Sequence, residues 1–190
     1  MGKTFAELKA AVQEITPPHA DVGIYINDAQ NDLVESSNRF KRVNQSLVNG
    51  VATVPTDCLV LLMVAYGGLK LSQYPGLETP DYGSGNPIYY QRDGATIYLY
   101  PRPDAGQTDQ VELAYTPKPT ALVNDAQTSE LEYADDALIA YAKLKIYTRK
   151  EDYYAADFWK NEYLTEKVEW LNLDAKQNRR IRRVTVGVYR

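Results

Sequence analysis

Residues 46–66 read SLVNGVATVPTDCLVLLMVAY, and in this stretch the chain changes from helical to β periodicity. Asn49 and Gly50 separate two short apolar segments, a pair that favours a type I′ turn and predicts a β-hairpin. After Pro55, the continuous apolar run from Cys58 to Tyr66 predicts either a buried strand or a short buried helix. A β-rich module therefore begins at residue 46.

Further strands are predicted downstream, and they extend the module to residue 119. Ile88–Gln91 and Thr96–Tyr100 flank an Asp-Gly turn, and Gln110–Tyr115 follows a stretch that contains proline and glycine. Residues 74–87 are rich in Gly, Pro, Asp and Ser, which is typical of a long loop.

Helical patterns precede the module. Thr4 and Glu7 have the spacing of a capping box and begin an apolar stripe that ends before Pro17. A second helix is predicted from Asp21, with its apolar residues on one face.

Helical patterns also follow the module. Ser129 and Glu132 offer a second capping box, and an amphipathic Ala- and Tyr-rich helix follows at residues 137–147. A longer helix, rich in aromatic residues, is predicted to run through Asn172.

These patterns predict an α+β fold. Residues 1–45 and 120–173 form its helical bundle core, residues 46–119 are the inserted β-rich module, and residues 174–190 form an extended C-terminal arm. No apolar run approaches the length needed to cross a bilayer, so no membrane association is expected.

The C-terminal arm differs in charge from the rest of the chain. Residues 175–190 carry six basic side chains and no acidic one, whereas the preceding 174 residues carry 15 Lys and Arg against 25 Asp and Glu. The end of the chain is thus +6 and the rest −10, which gives the net charge of −4. Such asymmetry is typical of a terminal segment that binds another molecule. The basic residues are Lys176, Arg179, Arg180, Arg182, Arg183 and Arg190.

The last residues of the arm alternate in character. Val184, Val186 and Val188 are separated by single residues, and Tyr189 follows them. This period of two predicts a β-strand, although no neighbouring segment in the sequence offers a partner strand. The strand either completes a sheet of its own subunit or adds to a sheet of another subunit.

No recognisable catalytic or metal-binding motif is present. His19 is the only histidine and Cys58 the only cysteine, which disfavours the usual zinc ligand sets and excludes an intrachain disulfide. Cys58 lies within an apolar run, where a cysteine usually acts as a small hydrophobe. We therefore expect no catalytic residue, no cofactor and no metal.

Tyrosine is unusually frequent, with 16 Tyr against 3 Phe and 2 Trp. Its apolar ring and polar hydroxyl suit half-buried sheets and subunit interfaces. A Tyr-rich sheet can also form a carbohydrate groove, for which the candidates are Tyr89, Tyr90, Tyr98 and Tyr100. A carbohydrate-binding or glycosidase-like module is therefore one alternative function.

A nucleic-acid-binding protein is a second alternative, because phosphate contacts by basic residues dominate such binding. The folded part of such a domain usually carries a basic face, whereas the body of this chain is acidic. The charge asymmetry therefore favours docking of the arm to a protein.

The order of several motifs resembles that of the head–tail connector (adaptor) proteins of tailed bacteriophages. The likeness covers residues 20–172 and continues through the helices that follow the β module. None of the motifs holds a catalytic residue. They are ATVPTDCL (52–59), GATIYLYPRP (94–103), VELAYTPKP (111–119) and ELEY (130–133), followed by the helices at 137–147 and 153–171.

This resemblance implies a structural virion protein that forms a homo-oligomeric ring, commonly of about twelve subunits, beneath the portal of the capsid. Such a ring extends the DNA channel, through which genomic DNA passes without sequence-specific binding. It also gives the tail or further neck proteins their attachment surface. The protein would be located in the virion neck and be assembled in the host cytoplasm.

Two sets of residues are the candidate functional sites under this interpretation. The portal-docking arm combines an electrostatic anchor with a strand that adds to a portal sheet edge. Its residues are Arg179, Arg180, Arg182, Arg183, Val184, Val186, Val188 and Tyr189. The candidate inter-subunit surface consists of aromatic residues on the helices, namely Tyr141, Tyr154, Phe158, Trp159 and Tyr163.

Overall fold

The computed structural model describes residues 2–16, 18–76, 83–104 and 110–187, with the backbone alone for residues 178–187. Across these residues it contains four α-helices and eight β-strands, which confirms the predicted α+β class. The chain divides into two compact units. Unit 1 comprises Met1–Asn38 and Pro119–Arg190 and holds the helices, whereas unit 2 comprises Arg39–Lys118 and holds the strands.

Unit 2 is built from two four-stranded sheets in the described part of the chain. Its strands are β1 (Lys41–Ser46), β2 (Val51–Thr53), β3 (Cys58–Tyr66), β4 (Leu69–Lys70), β5 (Ser72–Gln73), β6 (Tyr89–Asp93), β7 (Thr96–Tyr100) and β8 (Gln110–Pro117). The first sheet has the order β1-β8-β3-β4 and the second has the order β2-β7-β6-β5. Neighbouring strands are antiparallel except β5 and β6, which run parallel.

The turn at Asn49 and Gly50 forms as predicted. Both residues have positive φ, 55° and 74°, and the flanking Val48 and Val51 exchange backbone hydrogen bonds of 2.9 and 3.1 Å. Beyond these two residues the flanking strands do not pair with each other, because β1 pairs with β8 of the first sheet and β2 pairs with β7 of the second. The turn therefore passes the chain from one sheet to the other. β1 also begins at Lys41, upstream of the start predicted at residue 46.

The apolar run is a strand, which decides between the two predicted alternatives. β3 pairs with β8 from Cys58 to Tyr66, with register shifts after Cys58 and after Leu61. The hairpin around the Asp-Gly turn is confirmed as well, because β6 and β7 pair from Tyr89↔Tyr100 to Asp93↔Thr96.

The two sheets share one apolar core. Because successive residues of a strand face opposite sides, Ile97 and Leu99 of β7 enter this core while the residues between and beside them face away. The buried core residues are Ala52, Val54, Val64, Tyr66, Leu71, Ile97, Leu99, Val111 and Leu113.

Asp57 fixes the connection between β2 and β3. The hydroxyl of the buried Tyr115 donates a hydrogen bond of 2.8 Å to its carboxylate, and the Lys41 ammonium lies 3.2 Å from the other carboxylate oxygen. The Lys118 amide donates a hydrogen bond of 2.6 Å to the Asp57 carbonyl oxygen. The Tyr115 hydrogen bond, assisted by Lys41, lowers the pKa of Asp57.

We expect Tyr115→Phe to destabilise unit 2 by about 1 kcal/mol at neutral pH, because a hydrogen bond to a charged acceptor is lost while the ring remains. Since the pKa of Asp57 is lowered by folding, this contribution is complete above the unfolded pKa of the carboxyl and is lost as pH falls through the folded pKa. Urea unfolding of both proteins should show a stability difference that narrows as pH is lowered from 7 to about 3. A difference that stays constant over this range would contradict the explanation.

Unit 1 begins with the predicted capping box. The Glu7 amide donates a 3.3 Å hydrogen bond to Thr4 Oγ1, and the Thr4 amide donates a 2.7 Å hydrogen bond to Glu7 Oε2. The next amide, that of Phe5, donates to the Gln127 carbonyl oxygen at 2.7 Å, so the segment before the third helix completes the cap. The helices in the described residues are α1 (Phe5–Gln13), α2 (Val22–Ser36), α3 (Asp135–Arg149) and α4 (Tyr153–Gly187).

The second predicted capping box is wrong, because Ala134 and not Ser129 occupies the N-cap position of α3. The Ser129 hydroxyl instead donates a 2.7 Å hydrogen bond to the side-chain oxygen of Gln30, which is buried on α2 and needs a donor. Asn27 of α2 hydrogen-bonds both the amide and the carbonyl oxygen of Leu122, at 2.8 and 3.1 Å. These two amide side chains hold the irregular segment before α3 against α2.

Helix α4 is longer than predicted, and in this structure the segment predicted as a C-terminal strand is helical. Its backbone is helical to Gly187, which includes Val184 and Val186, and Val188 lies outside the described residues. A helix satisfies its own backbone hydrogen bonds, whereas a lone strand needs a partner edge. Helix extension adds one hydrogen bond per residue, and the Arg- and Lys-rich residues before Val184 have good helix propensity. The alternation of valine with other residues from Val184 onward therefore did not determine the backbone conformation.

Candidate assembly surfaces

Helix α4 is fixed to the rest of unit 1 along one buried face. Trp170 is 2% exposed, and its indole Nε1 donates a 3.1 Å hydrogen bond to the Glu132 carbonyl oxygen. Asp32 of α2 accepts hydrogen bonds from the Tyr163 hydroxyl and, at 2.5 Å, from the Lys167 ammonium. Burial alone would raise the pKa of Asp32, but these two donors outweigh it and lower that pKa. The carboxylate therefore stays ionised and holds α4 beside α2.

Three of the five predicted inter-subunit residues pack against their own subunit. Tyr163 is buried, and its ring meets that of Tyr141 edge-on with 5.0 Å between centroids. The Trp159 ring is partly covered by the Lys143 ammonium, which lies 4.3 Å from the ring centroid. Burial lowers the pKa of Lys143, and the aromatic face stabilises its charged form. Tyr141, Trp159 and Tyr163 therefore set the position of α4.

The other two predicted residues belong to an apolar strip on the outer face of α4. Tyr154 is 91% exposed and Phe158 is 53% exposed. The helical period places the exposed Tyr153, Leu164 and Val168 on the same side, so these five residues define the α4 strip. The exposed polar residues Asp157, Asn161 and Thr165 lie among them on the same side, so the strip is mixed in character. Clusters of exposed apolar side chains mark interaction sites on soluble proteins. Sequence reasoning missed three of the five because an apolar pattern alone does not tell which of two apolar faces is buried.

An acidic ridge borders the α4 strip. The helical period places Glu162, Glu166 and Glu169 along one side of α4, next to the strip. Burial, together with the nearby carboxylates of Asp136, Glu169 and Glu162, raises the pKa of Glu166. Like charges at this spacing repel one another, and a basic partner surface would relieve that repulsion.

The basic arm is the continuation of α4. The Gln177 side-chain amide donates a 3.0 Å hydrogen bond to Glu132 Oε2, and it is the last residue of α4 for which a side-chain contact is described. The predicted docking residues that follow lie on helical backbone, and their side chains are outside the described part of the structure; they are Arg179, Arg180, Arg182, Arg183, Val184 and Val186. Val188 and Tyr189 lie wholly outside it. The docking role of the arm stays a prediction.

His19 and Cys58, the only histidine and the only cysteine of the chain, both contact neighbouring groups of the fold. His19 Nδ1 accepts a 3.2 Å hydrogen bond from the Asp21 amide, and the ring packs 5.7 Å from that of Tyr25. Burial raises the pKa of the Cys58 thiol. Within the described residues there is no group of three or more His, Cys, Asp or Glu side chains that could hold a metal ion. In that same part of the chain, none of the helices combines the length and the apolar character needed to span a membrane.

The four tyrosines of the alternative carbohydrate groove do not share one face of the sheet. Tyr89 lies opposite Tyr100, with Tyr98 on the same face, whereas Tyr90 packs against the core of unit 2. The Tyr74 ring lies 6.0 Å from that of Tyr89 and 6.2 Å from that of Tyr100. The rings therefore form a cluster that excludes Tyr90.

An exposed apolar strip on a long helix is typical of a surface that binds another protein. The sequence matches the SU10 adaptor protein family over residues 3–186, and the chain therefore belongs to this family. The resemblance to phage head–tail adaptors is thereby confirmed. A search among curated proteins finds no match. Family membership indicates a structural phage adaptor in the virion neck, with portal and tail proteins as its partners.

Proposed function

We propose that the protein forms a ring of about twelve subunits beneath the portal, extends the DNA channel and provides the surface to which the tail attaches. The α4 strip carries this proposal. A ring subunit needs lateral surfaces that are apolar at their centre and exposed before assembly. The α4 strip is exposed and carries three aromatic side chains, Tyr153, Tyr154 and Phe158.

The lateral contact is proposed to centre on Tyr154 and Phe158. Large aromatic side chains dominate binding energy when a partner covers them completely. The buried face of α4 supports this contact, because Trp170, Tyr163 and Asp32 fix the helix that presents the strip. Tyr141 and Trp159 belong to that supporting layer.

The basic arm is proposed to dock on the portal. Its arginines can form bidentate, charge-assisted hydrogen bonds with acidic portal groups. In the predicted mode of docking, Val184, Val186 and Val188 add a strand to a portal sheet edge together with Tyr189. Since the backbone is helical to Gly187, this mode requires the segment to change from helix to strand on binding.

The acidic body suits a channel through which DNA slides. Residues 1–174 have a formal charge of −10, and acidic walls repel phosphate groups. We propose that genomic DNA passes through the lumen without sequence-specific binding. Assembly of the ring would take place in the host cytoplasm before the particle is complete.

Phe158→Asp tests the lateral contact. We expect it to weaken ring formation on portal particles about 30-fold, since a charge buried at the centre of an interface costs about 2 kcal/mol. The monomer should fold normally because Phe158 is 53% exposed. Ring occupancy is measured by electron microscopy of portal particles titrated with the adaptor.

Val123→Asp is the matched control, because Val123 is 74% exposed in unit 1 and lies outside α4. It should form rings at the wild-type concentration. If Phe158→Asp formed rings as readily as Val123→Asp, the α4 strip would not be the lateral contact.

A further inference from the structure

The first sheet of unit 2 has two open edges among the described residues. β8 pairs with one side of β3 along the strand, whereas β4 pairs with the other side only at Ala65 and Tyr66. Leu71 adds one backbone hydrogen bond of 2.8 Å, to the Val64 carbonyl oxygen. The outer side of Cys58–Met63, termed the β3 edge, therefore has no strand partner in the described structure. The outer side of β1, termed the β1 edge, has none either, because β1 pairs only with β8.

The β3 edge is apolar and accessible. It contains no charged residue and no proline, which are the residues that usually protect a free edge against pairing. Leu62 on this edge is 51% exposed. A groove of about 460 Å³ borders its end, lined by Leu62, Met63, Val64, Lys70, Leu71, Ser72, Gln73 and Tyr90. An extended chain could therefore pair with this edge and place apolar side chains beside it.

The β1 edge matches the β3 edge in length and direction. β1 has six residues, as does the stretch from Cys58 to Met63. The two cations of β1 are neutralised within the subunit, Lys41 by Asp57 at 3.2 Å and Arg42 by Glu112 at 3.1 Å. Since β1 and β3 are both antiparallel to β8, they run parallel to each other. Two subunits placed side by side in the same orientation would thus offer parallel strands of equal length.

We propose that the β1 edge of one subunit pairs with the β3 edge of the next, so that the first sheets of neighbouring subunits join into one. The partner is a second copy of this chain, and the inference rests on the proposed ring. The contact is head-to-tail, which is the type of interface that closes into rings. It supplies main-chain hydrogen bonds in addition to the apolar contact of the α4 strip.

Cys58 provides an internal probe of this contact. Within one subunit β8 lies between β1 and β3, so a cysteine on β1 is at least about 9–10 Å from Cys58, beyond the reach of a disulfide. Between joined subunits the strands would be about 4.8 Å apart, which a disulfide can bridge. A disulfide between β1 and Cys58 therefore reports contact between two subunits.

The test replaces each β1 residue with cysteine in turn, in the full-length protein assembled on portal particles under mild oxidation. If the two six-residue edges overlap fully in parallel, Lys41→Cys or Arg42→Cys should link neighbouring subunits by disulfides. A non-reducing gel should then show a ladder of dimers, trimers and larger oligomers. Gln45→Cys should give none, because it lies about 10–13 Å further along the strand. The matched controls are the same variants with Cys58→Ser, and Glu35→Cys at an exposed position of α2, none of which should give a ladder.

A charge on the β3 edge gives a second measurement. Leu62→Lys should weaken ring formation about tenfold, because an added lysine protects an edge against pairing. Leu69→Lys is its control, since Leu69 is 72% exposed on β4 and lies outside the open stretch. Both variants should keep the wild-type melting temperature.

The outcomes separate this inference from the proposed function. If the wild-type protein were not recruited to portal particles, the proposed function would fail. Rings in which no β1 cysteine forms a disulfide with Cys58 would contradict the joined sheet and leave the proposed ring unaffected. A disulfide between Cys58 and a different virion protein would have the same meaning. Equal assembly of Leu62→Lys and Leu69→Lys would also overturn the joined sheet.

Discussion

A chain that ends at Asn178 is expected to fold normally and to lose its docking to the portal. The described side-chain packing of α4 ends with the buried Asp174 and with Gln177, which hydrogen-bonds Glu132. The truncation retains these contacts, so the melting temperature should not change. It removes the arginine contacts to the portal, each of which contributes about 1.5 kcal/mol or more, so affinity should fall at least 100-fold. Portal binding by interferometry and thermal unfolding by circular dichroism measure the two effects.

Two full-length variants separate the parts of the arm. Replacing the four arginines at 179–183 with glutamine should weaken docking and remove most of its salt dependence, because charge pairs at a surface are screened by salt. Replacing Val184, Val186 and Val188 with serine should weaken docking and leave the salt dependence as it was. Normal docking by the truncated chain would show that the arm is not the portal-binding element.

Trp170→Ala is expected to destabilise the helical unit more than any change on its surface. Trp170 is 2% exposed, so the change leaves a large cavity and removes the hydrogen bond to the Glu132 carbonyl oxygen. A loss of about 3–5 kcal/mol follows for unit 1, which corresponds to a fall in melting temperature of more than about 10 °C. Circular dichroism at 222 nm follows the helices, and Trp159 then serves as the single tryptophan fluorophore.

Two further variants divide this loss into its parts. Trp170→Phe fills much of the volume but lacks the indole donor, so it should cost about half as much as alanine. Val168→Ala, on the outer face of the same helix and 57% exposed, should cost less than about 0.5 kcal/mol. A Trp170→Ala protein with the stability of Val168→Ala would contradict the view that Trp170 fixes α4.

The sequence predicted best those features that depend on a few adjacent residues. The Asn49-Gly50 pair has few alternatives to a tight turn with two positive φ angles, and that turn is present. The Thr4–Glu7 capping box closes within four residues of backbone and also forms. Residues 96–100 alternate strictly, and the structure buries the two residues that this alternation selects.

Features that depend on distant partners could not be read from local patterns. Ser129 and Glu132 have the spacing of a capping box, but the Ser129 hydroxyl donates its hydrogen bond to the buried Gln30 side chain on another helix. The Asn49-Gly50 turn does not reveal that its two strands join different sheets, since β7 and β8 lie far along the chain. The α4 strip was only partly found for the same reason, because the choice of the buried face is made by Asp32 and Glu132 outside α4.

The ends of unit 2 lie on paired strands. β1 begins at Lys41 and β8 ends at Pro117, and Lys41 lies opposite Tyr115 in the ladder. The chain therefore enters and leaves the β unit at adjacent points, as in domains that tolerate insertion into another domain. A unit of this kind can be gained, lost or exchanged during evolution as one inserted domain. Phages could then vary this part of the adaptor while the helices that precede and follow it keep their own packing.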